Sequence, residues 1–164
     1  MLIYGDGRTV GTIGGGGAEA EIKQAALMAM DDRKLKIHHV DLSSNLAAEE
    51  GMVCGGIMDV VIEPIQDPGF FHLLASFQEQ DQKVYSCLIV KSNEPGQVGQ
   101  RAVYDAEGGF VGGNRVLERL EPEWLTKEPI LVNWEAETGR VELFIQQVAP
   151  PDSLLILGAG HVAQ

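Results

Sequence analysis

Short apolar runs alternate with longer amphipathic segments along the chain. Short runs of apolar or β-branched residues are typical of strands. Strands are predicted at Leu2–Tyr4, Thr9–Ile13, Lys36–Val40, Ile57–Ile62, Val84–Val90 and Ala102–Tyr104, with a hairpin formed by Ile130–Trp134 and Arg140–Val148. Because helical patterns interrupt these strands, an α/β (mixed α+β) fold class is predicted, built on a glycine-rich mixed sheet.

Two segments carry apolar residues at helical spacing. The first, about Ala18–Met30, places small apolar residues on one face. The second begins at Asp67-Pro68, a favourable helix start, and carries an apolar stripe of phenylalanine and leucine. A third, shorter helix is predicted at about Arg115–Leu120.

The two halves of the chain show a faint internal repeat. Leu2–Glu19 and Ala102–Glu118 each contain a tyrosine after two apolar residues, an acid-and-glycine turn, Val-Gly, and a glutamate entering a helix. The strand Val84–Val90 precedes only the second copy, so equivalent halves would leave Leu2–Tyr4 without a neighbouring strand. Such an edge predicts a homo-oligomer. The alternative is two independent hairpins.

Length and composition indicate one globular domain. The chain has 164 residues, 45% hydrophobic and 22% charged, which excludes disorder, collagen and coiled coil. Neither a membrane-spanning run nor a signal peptide is predicted. The net charge of −12 disfavours nucleic acid and anionic lipid as partners. Two cysteines are too few for a disulfide framework and favour a cytoplasmic location.

The 20 glycines gather in a few clusters, of which the first is Gly14–Gly17. Glycine allows positive φ and close approach of a ligand, and the following helix start presents free N–H groups. Gly14, Gly15 and Gly16 therefore suit an anion such as a phosphate. A tight turn that packs the helix on the strand explains the cluster equally well. Glu19 lies in the first helical turn, where its negative charge interacts favourably with the helix dipole, and this interaction is sufficient to explain the residue.

The second cluster surrounds Cys54. Its neighbours Gly55 and Gly56 leave the thiol accessible and offer backbone N–H groups that stabilise a thiolate. The alternative is a small buried hydrophobic residue, which is the role predicted for Cys87. We expect the Cys54 loop and the first glycine cluster to form one site. The cysteines and histidines of the sequence do not have the spacing of zinc ligands. The sequence also shows no nucleophile paired with a general base, so no catalytic residue is assigned.

The last motif of the sequence is an apolar run, Leu154–Leu157, followed by Gly158-x-Gly160-x-x-Ala163. This is the context of a Rossmann start. The predicted organisation is therefore a domain at 1–148, a linker at 149–153, and only the first strand of a Rossmann-like domain at 154–164. Since the motif is incomplete, NAD(P) binding through Gly158 and Gly160 is expected only in a longer protein.

Three segments occur in a characteristic order: Gly11–Ile22, Glu49–Pro64 and Leu154–Ala163. Together they resemble the xanthine dehydrogenase accessory protein family, also called the XdhC/CoxI family, shortened at both ends. The resemblance implies that the chain binds molybdenum cofactor (molybdopterin), with Cys54 contacting the molybdenum. The family's glycines, glutamate and cysteine match Gly14, Gly15, Gly16, Glu19, Cys54, Gly55 and Gly56.

The resemblance further implies an accessory protein rather than an enzyme. Such a protein protects the cofactor during sulfuration and delivers it to a xanthine dehydrogenase-type molybdenum hydroxylase, with a cysteine desulfurase as a further partner. Two alternatives remain open. One is a structural or assembly domain that oligomerises without cofactor, and the other is a fragment of a nucleotide-binding oxidoreductase.

Overall fold

The computed structural model describes residues 1–41, 56–136 and 139–151. In chain order the helices and strands are β1 (Leu2–Ile3), β2 (Thr9–Val10), α1 (Gly17–Asp32), β3 (Lys36–Asp41), β4 (Ile57–Ile62), α2 (Gly69–Glu79), β5 (Val84–Ser92), β6 (Arg101–Asp105), β7 (Phe110–Gly113), β8 (Ile130–Ala136) and β9 (Gly139–Val148). The predicted α+β class is confirmed. No helix among the described residues is both long and apolar enough to cross a membrane.

Two predicted elements are shorter than expected. The strand at Thr9–Ile13 covers only Thr9–Val10, because the chain turns away at Gly11, whose φ is 76°. The helix at Arg115–Leu120 is a single 3-10 turn at Arg115–Leu117. Pro122 follows closely, and the residue before a proline disfavours helical backbone, so this helix does not extend.

The second half of the chain forms a five-stranded sheet in the order β7-β6-β5-β9-β8. Each ladder is antiparallel, which differs from the mixed sheet predicted. Short connections join β5 to β6, β6 to β7 and β8 to β9, and such connections cannot reach a parallel neighbour. β5 lies at the centre and Val84–Val90 is buried throughout. Cys87 is fully buried there, which confirms its predicted place in the core.

The first half is built around α1. Two antiparallel pairs, β1-β2 and β3-β4, lie beside this helix. The buried face of the helix consists of small residues and one isoleucine, namely Ala18, Ile22, Ala26 and Ala29. Together with Val40 and Ile62 these residues form one core cluster. Small side chains let the helix approach the strands closely.

The internal repeat is visible in the order of the elements. The second half runs β5, β6, β7, a helical turn, β8 and β9, whereas the first half runs β1, β2, α1, β3 and β4. Both tight hairpins close in the same way, since Tyr4 N–H donates to Arg8 O and Asp105 N–H donates to Gly109 O, each at 2.9 Å. Among the described residues, the first half therefore has a counterpart for every strand of the second half except β5.

The two halves meet at Arg101. The Arg101 guanidinium forms a two-point ion pair with Glu63, which follows β4. It also lies 4.7 Å from the ring centroid of Phe70 and 5.1 Å from that of Phe71, both in α2. Burial lowers the pKa of Arg101 to about 10, so the side chain remains cationic near neutral pH. One arginine thus connects β4, α2 and the five-stranded sheet.

Candidate glycine-loop site

The first glycine cluster forms an open loop between β2 and α1. Gly14, Gly15 and Gly16 have φ angles of 125°, 83° and 70°, which lie in the region that favours glycine. A Cβ atom added at Gly14 or Gly15 would meet nothing within 4 Å. Glycine is therefore required here by the backbone conformation, and the surface of the loop is open to a ligand.

Glu19 reaches back from α1 and organises this loop. Its Oε1 atom accepts hydrogen bonds from Ile13 N–H at 3.1 Å, from Gly15 N–H at 3.0 Å and from the Thr12 hydroxyl. The Thr12 hydroxyl also accepts from Gly14 N–H at 3.0 Å. The Thr12 bond, followed by the bond from Ile13 N–H, lowers the pKa of Glu19 below its ordinary value. The Glu19 carboxylate thus accepts hydrogen bonds from some of the backbone N–H groups of the loop.

Two backbone donors remain at the start of α1. Glu19 N–H bonds to Gly16 O at 3.2 Å. The N–H groups of Gly17 and Ala18 have no acceptor among the described residues, as is usual in a first helical turn. They lie at the positive end of the helix, and an anion placed there would also lie near the Glu19 carboxylate. The electrostatic potential at this position therefore combines a positive contribution from the helix N-terminus with a negative one from Glu19.

The beginning of β4 lies at the same end of the fold as this loop. β3 runs back along α1, with His38 Nε2 2.7 Å from Glu21 Oε1. The β3–β4 register then pairs Asp41 with Ile57, which places Gly56 toward the N-terminus of α1. Cys54 and Gly55 lie outside the described residues. That the Cys54 loop and the glycine loop form one site therefore stays a prediction.

The remaining candidate ligands are separated from one another. His38 contacts Glu21, whereas His39 Nδ1 lies 2.8 Å from Asp59 Oδ1, as expected for neighbours on opposite faces of a strand. Within the described part of the chain, no group of three or more His, Cys, Asp or Glu side chains could hold a metal ion. Burial raises the pKa of Cys87 to about 12, so this thiol is inert. Gly158 and Gly160 lie outside the described residues.

Thr12 is the residue of this site that sequence reasoning missed. Its hydroxyl accepts from Gly14 and donates to Glu19, so it holds the loop from within. A threonine two residues before a glycine is a recognised turn signal and could have indicated the first bond. The bond to Glu19 spans seven residues, and no local pattern indicates it.

These features define an α+β domain with a glycine loop held by its own glutamate, and the comparisons with known proteins agree with that class. The sequence profile of the XdhC and CoxI family matches residues 1–41. The match includes the whole glycine loop and α1. The resemblance to this family inferred from the sequence is therefore confirmed in that part of the chain.

Two individual proteins are also similar. One is the uncharacterized protein YqeB of Escherichia coli (strain K12), which is 42% identical over 62 residues, covering 38% of this chain and 12% of YqeB. The other is a solved structure described as a xanthine dehydrogenase from Bacillus halodurans, with a TM-score of 0.59 and 20% identity. That alignment covers 90% of this chain and 42% of the other, so it supports the fold. This chain spans less than half the length of each.

Proposed function

We propose that this chain is the cofactor-handling part of an accessory protein for a xanthine dehydrogenase-type molybdenum hydroxylase. The observation that carries the proposal is the open loop Gly14–Gly17, which lies within the residues that match the XdhC and CoxI family. Its shape does not depend on a ligand, because Glu19 already holds it from inside. A preformed loop of this kind suits the capture and release of a bound group.

The residues fit molybdenum cofactor in part. Molybdopterin carries a phosphate, and the N–H group of Gly17, beside the open glycines, is a suitable donor for one, whereas Ala18 is buried. In this proposal Glu19 positions the loop through its hydrogen bonds and does not bind the phosphate itself. In this proposal Cys54 contacts the molybdenum, which is the centre that the cofactor supplies to a client enzyme. No turnover reaction is proposed for the chain itself.

The experiment is to purify the protein from cells that make molybdenum cofactor and to measure bound molybdenum and pterin fluorescence. We expect Cys54→Ser to lose molybdenum. We expect Gly15→Ala to lose pterin, because alanine does not readily adopt a φ of 83°. Cys87→Ala and Gly5→Ala are the matched controls, since Cys87 is buried in the other half and Gly5 has open space and no positive φ. Equal retention in all four variants would refute the proposal.

A second candidate function is a structural or assembly domain without cofactor. The observation that favours it is that Glu19 satisfies Ile13 and Gly15 N–H groups that an anion would otherwise use. Wild-type protein that binds no added cofactor would support this alternative. Association of two copies through the β1 edge, a cysteine desulfurase partner and a cytoplasmic location remain predictions under either function.

A further inference from the structure

A cleft lies where the first half of the chain meets the second, at the end of α1. Its volume is about 800 Å³, which is typical of sites that enclose small organic molecules. It is lined by Arg33–Leu35 after α1, Glu63–Asp67 after β4, Phe70 and Phe71 of α2, and Gly96 with Val98–Arg101 at the start of β6. We call this feature the Arg33 cleft.

Arg33 has a backbone conformation that normally selects glycine. It ends α1 in the left-handed region with a φ of 53°, and Gln66 Nε2 donates to its carbonyl oxygen at 3.0 Å. Ten of the described residues with positive φ are glycines, and two, Arg33 and Asp81, are not. Glycine or asparagine is the usual residue at this end of a helix, because a Cβ atom is disfavoured there. An arginine is strained at this position, so we expect its side chain to provide something that glycine does not.

The side chain of Arg33 is available to a ligand. It is exposed, and it has no hydrogen-bond or ion-pair partner within the part of the chain that the structure describes. The two carboxylates of the cleft are already engaged. Glu63 pairs with Arg101, and Asp67 Oδ1 accepts from Gly69 N–H at 2.8 Å. Three of the five charged residues that line the cleft are cationic, although the chain carries 24 acidic and only 12 basic residues, so the cleft favours an anion.

Exposed apolar side chains line the same cleft. Phe71, Ile65 and Val98 are 36%, 47% and 43% exposed there. Gly96 and Gly99 also line it, and a Cβ atom added at either glycine would meet nothing within 4 Å, so the space beside them is open. A flat apolar group in the cleft would remove these side chains from water, which is favourable in proportion to the area buried.

We propose that the Arg33 cleft binds a small organic anion, with a carboxylate or phosphate group on Arg33 and a flat apolar body against Phe71, Ile65 and Val98. A guanidinium binds either group through two parallel hydrogen bonds. The site is distinct from the glycine loop, which lies at the other end of α1. That helix has 16 residues and rises about 1.5 Å per residue, so the two sites are about 24 Å apart. The inference therefore does not depend on the proposed function.

The test measures binding to the whole chain by isothermal titration calorimetry. The probes are naphthoate and naphthyl phosphate, with the neutral alcohol naphthalenemethanol and inorganic phosphate as controls. We expect the two aromatic anions to bind, and the tighter of them identifies the charged group that the cleft prefers. Each control should bind at least tenfold more weakly, because it has only one of the two features. Equal binding of either control, or no binding of the two aromatic anions, would overturn the proposal.

Replacing Arg33 by glycine separates the ligand from the fold. Arg33→Gly removes the guanidinium and suits the backbone, so its urea midpoint should be no lower than that of the wild type. We expect it to bind the aromatic anions at least tenfold more weakly. The matched control is Asp81→Gly, which makes the same backbone change at the other described non-glycine residue with positive φ and should keep binding within twofold. Equal binding by the two variants, or a clearly lower urea midpoint for Arg33→Gly, would overturn the proposal.

Two variants of α2 test the apolar part of the cleft. Phe71 lines it, whereas Leu73, on the same helix and 38% exposed, does not. We expect Phe71→Ala to weaken naphthoate binding at least fivefold and Leu73→Ala to leave it within twofold, and equal effects would contradict the assignment. Gly15→Ala should bind naphthoate as the wild type does. Loss of binding in that variant would place the anion at the glycine loop, and the proposal would then be wrong.

Discussion

Replacing Arg101 by methionine should destabilise the protein far more than the same change at Arg8. The two arginines make the same kinds of contact. Arg101 pairs with Glu63 and lies over Phe70, while Arg8 pairs with Asp6 and lies 4.9 Å from the ring centroid of Tyr4. They differ in burial, since the side chain of Arg101 is 12% exposed and that of Arg8 is 74% exposed.

The expected magnitude follows from that burial. Removing one member of a buried ion pair costs about 3–5 kcal/mol, because the other charge is left without its partner. Loss of a cation–π contact adds about 0.5–1 kcal/mol. Since Glu63 keeps 24% of its side-chain surface exposed, water solvates it in part after the substitution. We therefore expect Arg101→Met to lower the free energy of unfolding by about 3 kcal/mol, and Arg8→Met to cause no change beyond error.

Urea unfolding, followed by the fluorescence of Trp124 and Trp134, measures both changes. Both tryptophans pack against the core of the five-stranded sheet, so their emission reports its unfolding. The double variant Arg101→Met/Glu63→Met should show a coupling energy of about 2 kcal/mol. If Arg101→Met and Arg8→Met cost the same, or if the coupling is zero, the argument from burial is wrong.

Three further predictions concern single positions. Gly113→Ala should lower the free energy of unfolding by about 3 kcal/mol or more, because the new Cβ would lie 2.3 Å from Arg101 O at a φ of 116°. The control Gly112→Ala, whose Cβ would meet nothing within 4 Å, should keep the stability of the wild type. Similar urea midpoints for the two variants would contradict this prediction. Native Cys87 should react with iodoacetamide far more slowly than an exposed thiol, because the side chain is fully buried and burial raises its pKa to about 12. Mass spectrometry should find rapid labelling only in urea. The pKa of Glu19 is lowered from its ordinary value of 4.5, so its stabilisation of the loop is complete above pH 4.5 and is lost as the pH falls through the lower pKa of the folded state. The protection factor of the Gly15 amide should therefore fall in that pH range in the wild type and in the control Glu21→Gln. It should not fall in Glu19→Gln.

Local pattern was sufficient for most helices and strands. The spacing of small residues from Ala18 onward predicts α1, and the observed helix differs only by a slight extension at each end. The continuous apolar run of Val84–Val90 predicts a strand buried on both faces, which is what β5 is. These predictions succeed because helix and strand periodicity arises between residues a few positions apart, and burial of one face then reinforces it.

The pattern also located the glycine loop but not its chemistry. Gly14–Gly17 could be recognised as a loop at a helix start from composition alone. Which atoms satisfy its N–H groups depended on the Glu19 side chain folding back over the loop to meet Thr12 and Ile13. The loop therefore contains a carboxylate of its own, which a motif comparison does not reveal.

Long-range placement was decided only by the tertiary structure. The sequence by itself determined the α+β class and the cluster of glycines at the start of α1, and it indicated a faint repeat of a hairpin followed by a helix start. It did not determine that Arg101 joins Glu63, a residue 38 positions away, or that the end of α1 and the start of β6 line one cleft. Helix and strand preferences are energies of neighbouring residues. Contacts between distant residues depend instead on how the layers pack, and they form only when the whole chain has buried its apolar faces.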